Sequence, residues 1–421
     1  MKRIKVKSGS IITLSLLLGL SLVGLSLLLA RPPVVTAAAV PVTNTDDSGP
    51  GSLRAAISSA QSGDNIVFSL PANSTITLTS GELLINTNLT IDGTSTSGLT
   101  LQRSTAGGTP DFRIFDIADG NFNVTISGLT ISNGNAPQFS GGGGGILNLS
   151  TGTVNIVNDT ITGNSSQIGG DGGGINNGER TNTGFSLIGT VNITNCIISN
   201  NSTTNSGGGI FSTVTNLNTT NTSTVNITNS TVSGNSAAVG GGVYNQDTQV
   251  STFIVNVTNS TISGNSAAAS TGGVYNEGNR LVLNITTSTV SGNSSGGGSV
   301  GAILNIGGTV NLTNSTISGN SAAATGGIRN SGNGTVNITN STISSNSRSV
   351  SGGGGGGITN DNSTANLVNV KNSIIAGNSG VGSPDFSRHV HLTGLQPNRR
   401  RHRRDHHTND RRPDRHRRFT H

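Results

Sequence analysis

Three carboxylates lie close together near the middle of the chain: Asp159, Asp171 and Glu179, with Arg180 beside the last. Carboxylates next to an arginine are the groups that general acid–base chemistry uses, and the same oxygens can hold Ca²⁺. The alternative is that they are solvated loop charges, because the other acids of this region, Asp247, Glu277 and Asp361, fall singly. The one thiol is Cys196. It could be a nucleophile, but it occupies the slot that Ser230, Ser260, Ser288, Ser315, Ser341 and Ser373 hold in similar segments, so it reads as a small residue in a stack. Gly169–Gly174 with Asp171 approximates a Ca²⁺-binding glycine–aspartate turn once only. The glycine runs at 141–145 and 352–357 read as flexible loops, since neither a lysine nor a helix follows to make a phosphate site. There is no tryptophan, and the two tyrosines, Tyr244 and Tyr275, hold equivalent positions where they could stack. No cofactor or metal is expected.

Those equivalences come from a repeat. V-N-I-T-N-S-T-I-S-G-N-S, followed by small residues and G-G-V-x-N, appears as Val225–Ser236, Val255–Ser266, Val310–Ser321 and Val336–Ser347, with looser copies from Val124, Val154, Val191, Leu283 and Leu367. The Asn of the G-N-S step falls at 135, 164, 201, 235, 265, 293, 320, 346 and 378, a period of 26 to 37 residues. A period of this length marks a solenoid, in which each unit buries its apolar face against its neighbours. The constant part alternates, placing Val255, Val257 and Ile262 inward with Asn and Thr between. The 62 glycines and the many β-branched residues argue against helix.

Three asparagine series recur in phase. Asn195, Asn229, Asn259, Asn314, Asn340 and Asn372 form one. Asn235, Asn265, Asn293, Asn320 and Asn346, from the G-N-S step, form the second. Asn245, Asn276, Asn305, Asn330 and Asn360 form the third. Stacked coils bring like residues to about 4.8 Å, where amides can bond along the stack and Asn can turn a left-handed corner. The expected fold is all-β: a single-stranded right-handed parallel β-helix with an N-terminal cap, handedness following the rule for parallel crossovers.

The ends differ in composition. Residues 1–39 read as a signal peptide: Lys2, Arg3, Lys5 and Lys7 precede the apolar run Ile11–Ala30, and Ala37–Ala39 offers a cleavage site. An uncleaved anchor is the alternative. Residues 40–106 read as the cap and first coils, with a short helix at 53–60, and residues 107–387 as the repeats. The cap carries V-T-N-T-D-D-S-G-P-G-S-L-R-A-A-I, then D-N-I-V-F and L-T-I-D-G. This resembles the start of bacterial exported β-helix proteins with a CSLREA-type segment, although Gly51 and Ala55 stand where the name-giving Cys and Glu would be. The repeats resemble those of the chlamydial polymorphic outer-membrane proteins, whose G-G-A-I and F-x-x-N are relaxed here to Gly272-Gly273-Val274 and Ile262-x-x-Asn265. Together the resemblances span about 42–387. They imply a secreted or cell-surface adhesin.

Residues 388–421 hold all 7 histidines and 11 of the 24 Lys and Arg. Without this tail and the signal segment, 8 basic and 15 acidic residues remain, so the net charge of +6 misdescribes the body. The tail reads as a basic arm for nucleic acid or polyanion, as a His-rich metal tract, or as a change of reading frame near Ser387. Read one base later, the codon families of Arg388–Arg399 permit G-T-F-T-S-Q-G-Y-N-L-I-G, which with N-S-I-I-A-G-N-S and D-F-S resembles the choice-of-anchor class. A longer chain with a C-terminal anchor is then expected. The functional expectation is an exported, non-enzymatic surface protein that binds an extracellular glycan or other surface polymer. Nucleic acid is a partner only if the tail is genuine, and the membrane only through the N-terminal segment or a lost anchor. The alternative is a pectate-lyase-like enzyme acting on polysaccharide.

Overall fold

The computed structural model describes residues 37–178, 189–214, 222–247, 252–297, 299–350, 354–362, 367–380, 384–387 and 391–393. Most of the signal segment and most of the tail lie outside the described residues. Each unit makes four short strands joined by corners, here called faces 1 to 4 in chain order. In the unit of Thr222–Thr228, face 1 is that strand, face 2 is Thr231–Ser233, face 3 is Ser236–Ala237 and face 4 is Val243–Asp247. Face 1 stacks thirteen strands, faces 2 and 4 eleven each, and face 3 eight, every pairing parallel. The result is a right-handed β-solenoid. Its eleven stacked turns span about 50 Å.

Alternation explains the strands. Val255, Val257 and Ile262 point inward and are at most 1% exposed, as expected, and their counterparts in other turns join them in one continuous core. Thr, Asn and Ser between them point outward. Corners are set by residues that accept a left-handed backbone. Asn229, Asn259, Asn314 and Asn340 have φ of 49–52° where face 1 turns into face 2. This first asparagine series is therefore mainly a corner series, although Asn195 reaches Asn158 and Asn259 reaches Asn229 through side-chain bonds of 3.1 and 2.7 Å.

The second series is an internal ladder. Each amide from Asn164 through Asn201, Asn235, Asn265, Asn293, Asn320 and Asn346 donates to the Oδ1 of the next Asn at 2.8–3.0 Å. Its backbone N–H donates to the same oxygen at 2.9–3.1 Å. The last member, Asn378, donates instead to Asp385 at 3.0 Å, a carboxylate that accepts and passes nothing on. Asn135 falls outside this ladder: it pairs with Ser165, and Gly134 stands in the slot opposite Asn164. The third series also stacks, with Asn276 donating to Asn305 at 2.8 Å and Asn305 to Asn330 at 2.9 Å. Asn305 and Asn330 also hold the carbonyls of Gly308 and Gly334 in the tight loops that lead to the next face 1 strand. Asn245 is fully buried and makes no such bond.

Asp64–Phe68 and Leu89–Asp92 stack in face 1, preceded by one short helix, α1 (Leu53–Ser59). Ser52 accepts a bond from Ala55 N at 3.2 Å as its N-cap, and Leu53, Ala56 and Ile57 are buried in the common core. The described glycines of the runs at 141–145 and 352–357 are packed backbone rather than flexible loop. Gly145 and Gly357 are buried, and Gly145 donates to Gly174 O at 2.9 Å. Among the described residues no helix is long and apolar enough to cross a membrane.

Candidate functional site

The most regular surface is the outside of face 1. Its middle column is Asn155, Asn192, Asn226, Asn256, Asn284, Asn311, Asn337 and Asn369, in register over eight turns. Seven side-chain bonds of 2.8–2.9 Å join them into an external ladder. On one side runs Thr194, Thr228, Thr258, Thr286, Thr313 and Thr339. On the other run Thr153, Thr190, Thr224, Thr309 and Thr335, interrupted by Ile254 and Val282. All are partly or fully exposed. The three series singled out from sequence did not include this fourth one. Its signal is present in V-N-I-T, but from sequence an Asn at each outward mid-strand position reads only as the polar half of an alternation.

The carboxylates singled out from sequence go to different places. Asp159 lies at the corner between faces 1 and 2, 1% exposed, in the same slot as Cys196 and the serines. There each backbone N–H donates to the next turn's side chain: Leu129 to Asp159 at 2.7 Å, Cys196 to Ser230 at 3.0 Å and Ser230 to Ser260 at 3.0 Å. Asp171 lies in the bend between faces 3 and 4, also buried, and accepts from Ser206 N at 3.1 Å. Glu179 lies outside the described residues. The Cys196 thiol donates to the carbonyls of Thr194 and Ile156 at 3.2 and 3.3 Å. Burial pushes it up to about 12, so it stays protonated at neutral pH. Among the described residues no three His, Cys, Asp or Glu side chains are grouped as a metal ion would need.

Desolvation drives the Asp159 carboxyl well above the usual range, against the lowering effect of bonds to the backbone at Leu129 and Val157. The unfolded chain therefore ionises before the folded one. The destabilisation it causes is absent below the ordinary carboxyl pKa of about 4 and grows as pH rises through that value. Asp159→Ser, which installs the slot's usual residue, is expected to raise the melting temperature at pH 7, with the gain shrinking toward pH 4. Melting curves of both proteins across that range check it.

A charged cluster missed from sequence sits near the start of the solenoid. Arg113, with its side chain 5% exposed, lies 3.2 Å from Asp116 and 3.7 Å from Glu82. Glu82 and Asp116 come together because Leu84 pairs with Asp116 across face 4. Burial raises both carboxyls above their usual values, Arg113 opposing the shift in each. A carboxyl pair of this kind can share a proton beside a fixed cation, which is acid–base chemistry in principle. The first-turn backbone around it is fixed by Arg54, which binds Asp47 at 2.8 Å and the carbonyls of Gly81 and Glu82 at 2.7 Å.

No family model matches the chain, and no curated protein matches it at a significant level.

Proposed function

We propose that this chain is an exported, non-enzymatic β-solenoid that adheres through face 1 to a glycan or another surface polymer. The observation that supports this reading is the external Thr–Asn–Thr array, an uncharged donor–acceptor pattern that runs through seven turns and gives way to an aliphatic side chain only at Val157, Ile254 and Val282. A single turn offers few contacts, so binding strength comes from many weak ones in register, as in other multivalent recognition. Such a surface suits an extended, repetitive partner better than a small molecule, which buries itself in a concave pocket.

A second reading, a pectate-lyase-like enzyme, is favoured by the Glu82–Arg113–Asp116 cluster alone. One experiment separates them. The purified full chain is incubated with a panel of insoluble polysaccharides and polyuronates, and both the bound fraction and released reducing or unsaturated ends are measured. Retention without product release supports adhesion. Product release that disappears in Glu82→Gln sinks the adhesion-only reading. Neither retention nor release on any member of the panel counts against glycan binding.

A further inference from the structure

We propose that the surface face 1 recognises is crystalline water: the Thr–Asn–Thr array is an ice-binding plane. The inference rests on reading face 1 as the binding surface and names a ligand other than a glycan.

Geometry is the first argument. From Thr153 to Thr339 the three outward columns run through seven turns, with no register shift between successive face 1 strands. Parallel strands repeat at about 4.8 Å, and alternate residues along a strand at about 6.7 Å. The columns thus form a regular two-dimensional array of about 400 Å². Hydrogen-bonding groups repeated at one fixed interval have little use for an irregular partner. They suit a partner that is itself a lattice of oxygens at ångström-scale spacing.

Chemistry is the second. No charged residue stands in these columns between Thr153 and Thr339; beyond them lie Lys371 one turn after and Asp92 two turns before. Ions impose their own hydration geometry, whereas threonine offers a methyl and a hydroxyl side by side. The methyl restricts first-shell water and the hydroxyl anchors it. Charges cluster elsewhere, as in the Arg329–Asp361 pair on and beside face 4 at 2.6 Å. Rings are also absent from these columns, since Phe253 of face 1 points inward and is fully buried. Phe211, Tyr244 and Tyr275 stack on face 4 with centroids 5.4 and 4.7 Å apart, and the first two are 0% and 4% exposed. Face 1 therefore lacks the aromatic platform that favours a sugar ring over ice.

Rigidity is the third. The seven Asn–Asn bonds fix each amide of the middle column, and the internal ladder pins the turns behind it. Water held on such a plane loses its disorder to a template that is already ordered, which lowers the entropic cost of joining a crystal.

The test uses the labelled full chain, with slowly growing polycrystalline ice as the probe. Wild type is expected to be taken into the ice. Thr228→Lys combined with Thr313→Lys is expected to lower the incorporated fraction roughly tenfold, the equivalent of about 1.4 kcal/mol. Ala268→Lys, in an exposed loop after face 3, leaves it unchanged. If the double variant loses the wild-type circular dichroism spectrum, Thr313→Ser replaces it, keeping the hydroxyl and deleting only the methyl. Exclusion of wild type from ice overturns the proposal, as does unchanged incorporation of a folded face 1 variant. Exclusion from ice with retention on a polysaccharide leaves the adhesion reading standing. Exclusion from both removes the two together.

Discussion

Asn265→Ala is expected to cost about 3–5 kcal/mol, far more than the loss of one small polar side chain suggests. Asn265 sits mid-ladder and is fully buried. Its Oδ1 accepts from both the backbone and the side-chain N–H of Asn235, each at 3.0 Å. Its amide donates to Asn293 at 2.9 Å and to Val232 O at 3.0 Å. Truncation orphans two buried donors on one side and weakens two acceptors on the other. No water reaches them without opening the stack, and each buried unpartnered group costs about 1–3 kcal/mol. Asn265→Asp separates the two halves of the role. A carboxyl still accepts from Asn235, but to meet either the Asn293 or the Val232 oxygen it must carry a proton, and it can then donate to only one of them. Its pKa is raised on folding, so the variant is expected to be least harmed below about pH 4 and to weaken as pH rises. Denaturant midpoints of the three proteins at two pH values test this. Equal stability of wild type and Asn265→Ala would show that the ladder is decorative. Because turns in a solenoid couple chiefly to their neighbours, hydrogen exchange should localise the loss to the turns around Asn265.

How much of this could be read from the chain depends on what the signal was. The inward residues Val255, Val257 and Ile262 were legible because a period of two leaves no other burial consistent with a core. The G-N-S ladder was legible because one residue type recurs at one phase. The external ladder through Asn226 and Asn256 was equally periodic, but an outward polar residue looks the same whether it is bonded along the stack or merely wet. Charge clusters were the least legible. Glu82 and Asp116 meet only because the intervening turn has a particular length, and that length was hidden in a stretch without the repeat motif. The converse holds for Asp159 and Asp171, neighbours in sequence that the turn sends to separate corners.

Glycine was the residue most easily misread, and a pair of substitutions shows why. Gly264→Asn is expected to change stability by well under 1 kcal/mol, whereas Gly241→Ala should cost at least about 3 kcal/mol. Gly264 is needed for its backbone: φ is +63°, and the nearest atom to an added Cβ is Gly234 N at 4.0 Å. Other turns already fill this slot with Asn200 at φ 55° and Ser345 at φ 58°. Gly241 is needed for its missing side chain. Its φ is unexceptional, but an added Cβ would overlap the Ser266 carbonyl and come within 2.7 Å of Gly272 O. The overlap recurs down the column of Gly144, Gly173, Gly208, Gly241, Gly272, Gly301 and Gly326, each pressed against backbone of the face 3 strand above it, and at Gly356 against Ser379, which bridges to the last of those strands. One residue later the next column admits Ala302, fully buried, although an added Cβ at its neighbours Gly273 and Gly327 would come within 2.4 and 2.2 Å of backbone oxygens, so successive positions of the tract are tight. Backbone cannot move aside as a side chain can, and shifting one turn displaces its neighbours. Thermal melts of the two variants decide between the roles. A Gly241→Ala protein as stable as wild type would mean that face 3 can lift from the glycine column, and that the short third face does not hold the turns closed.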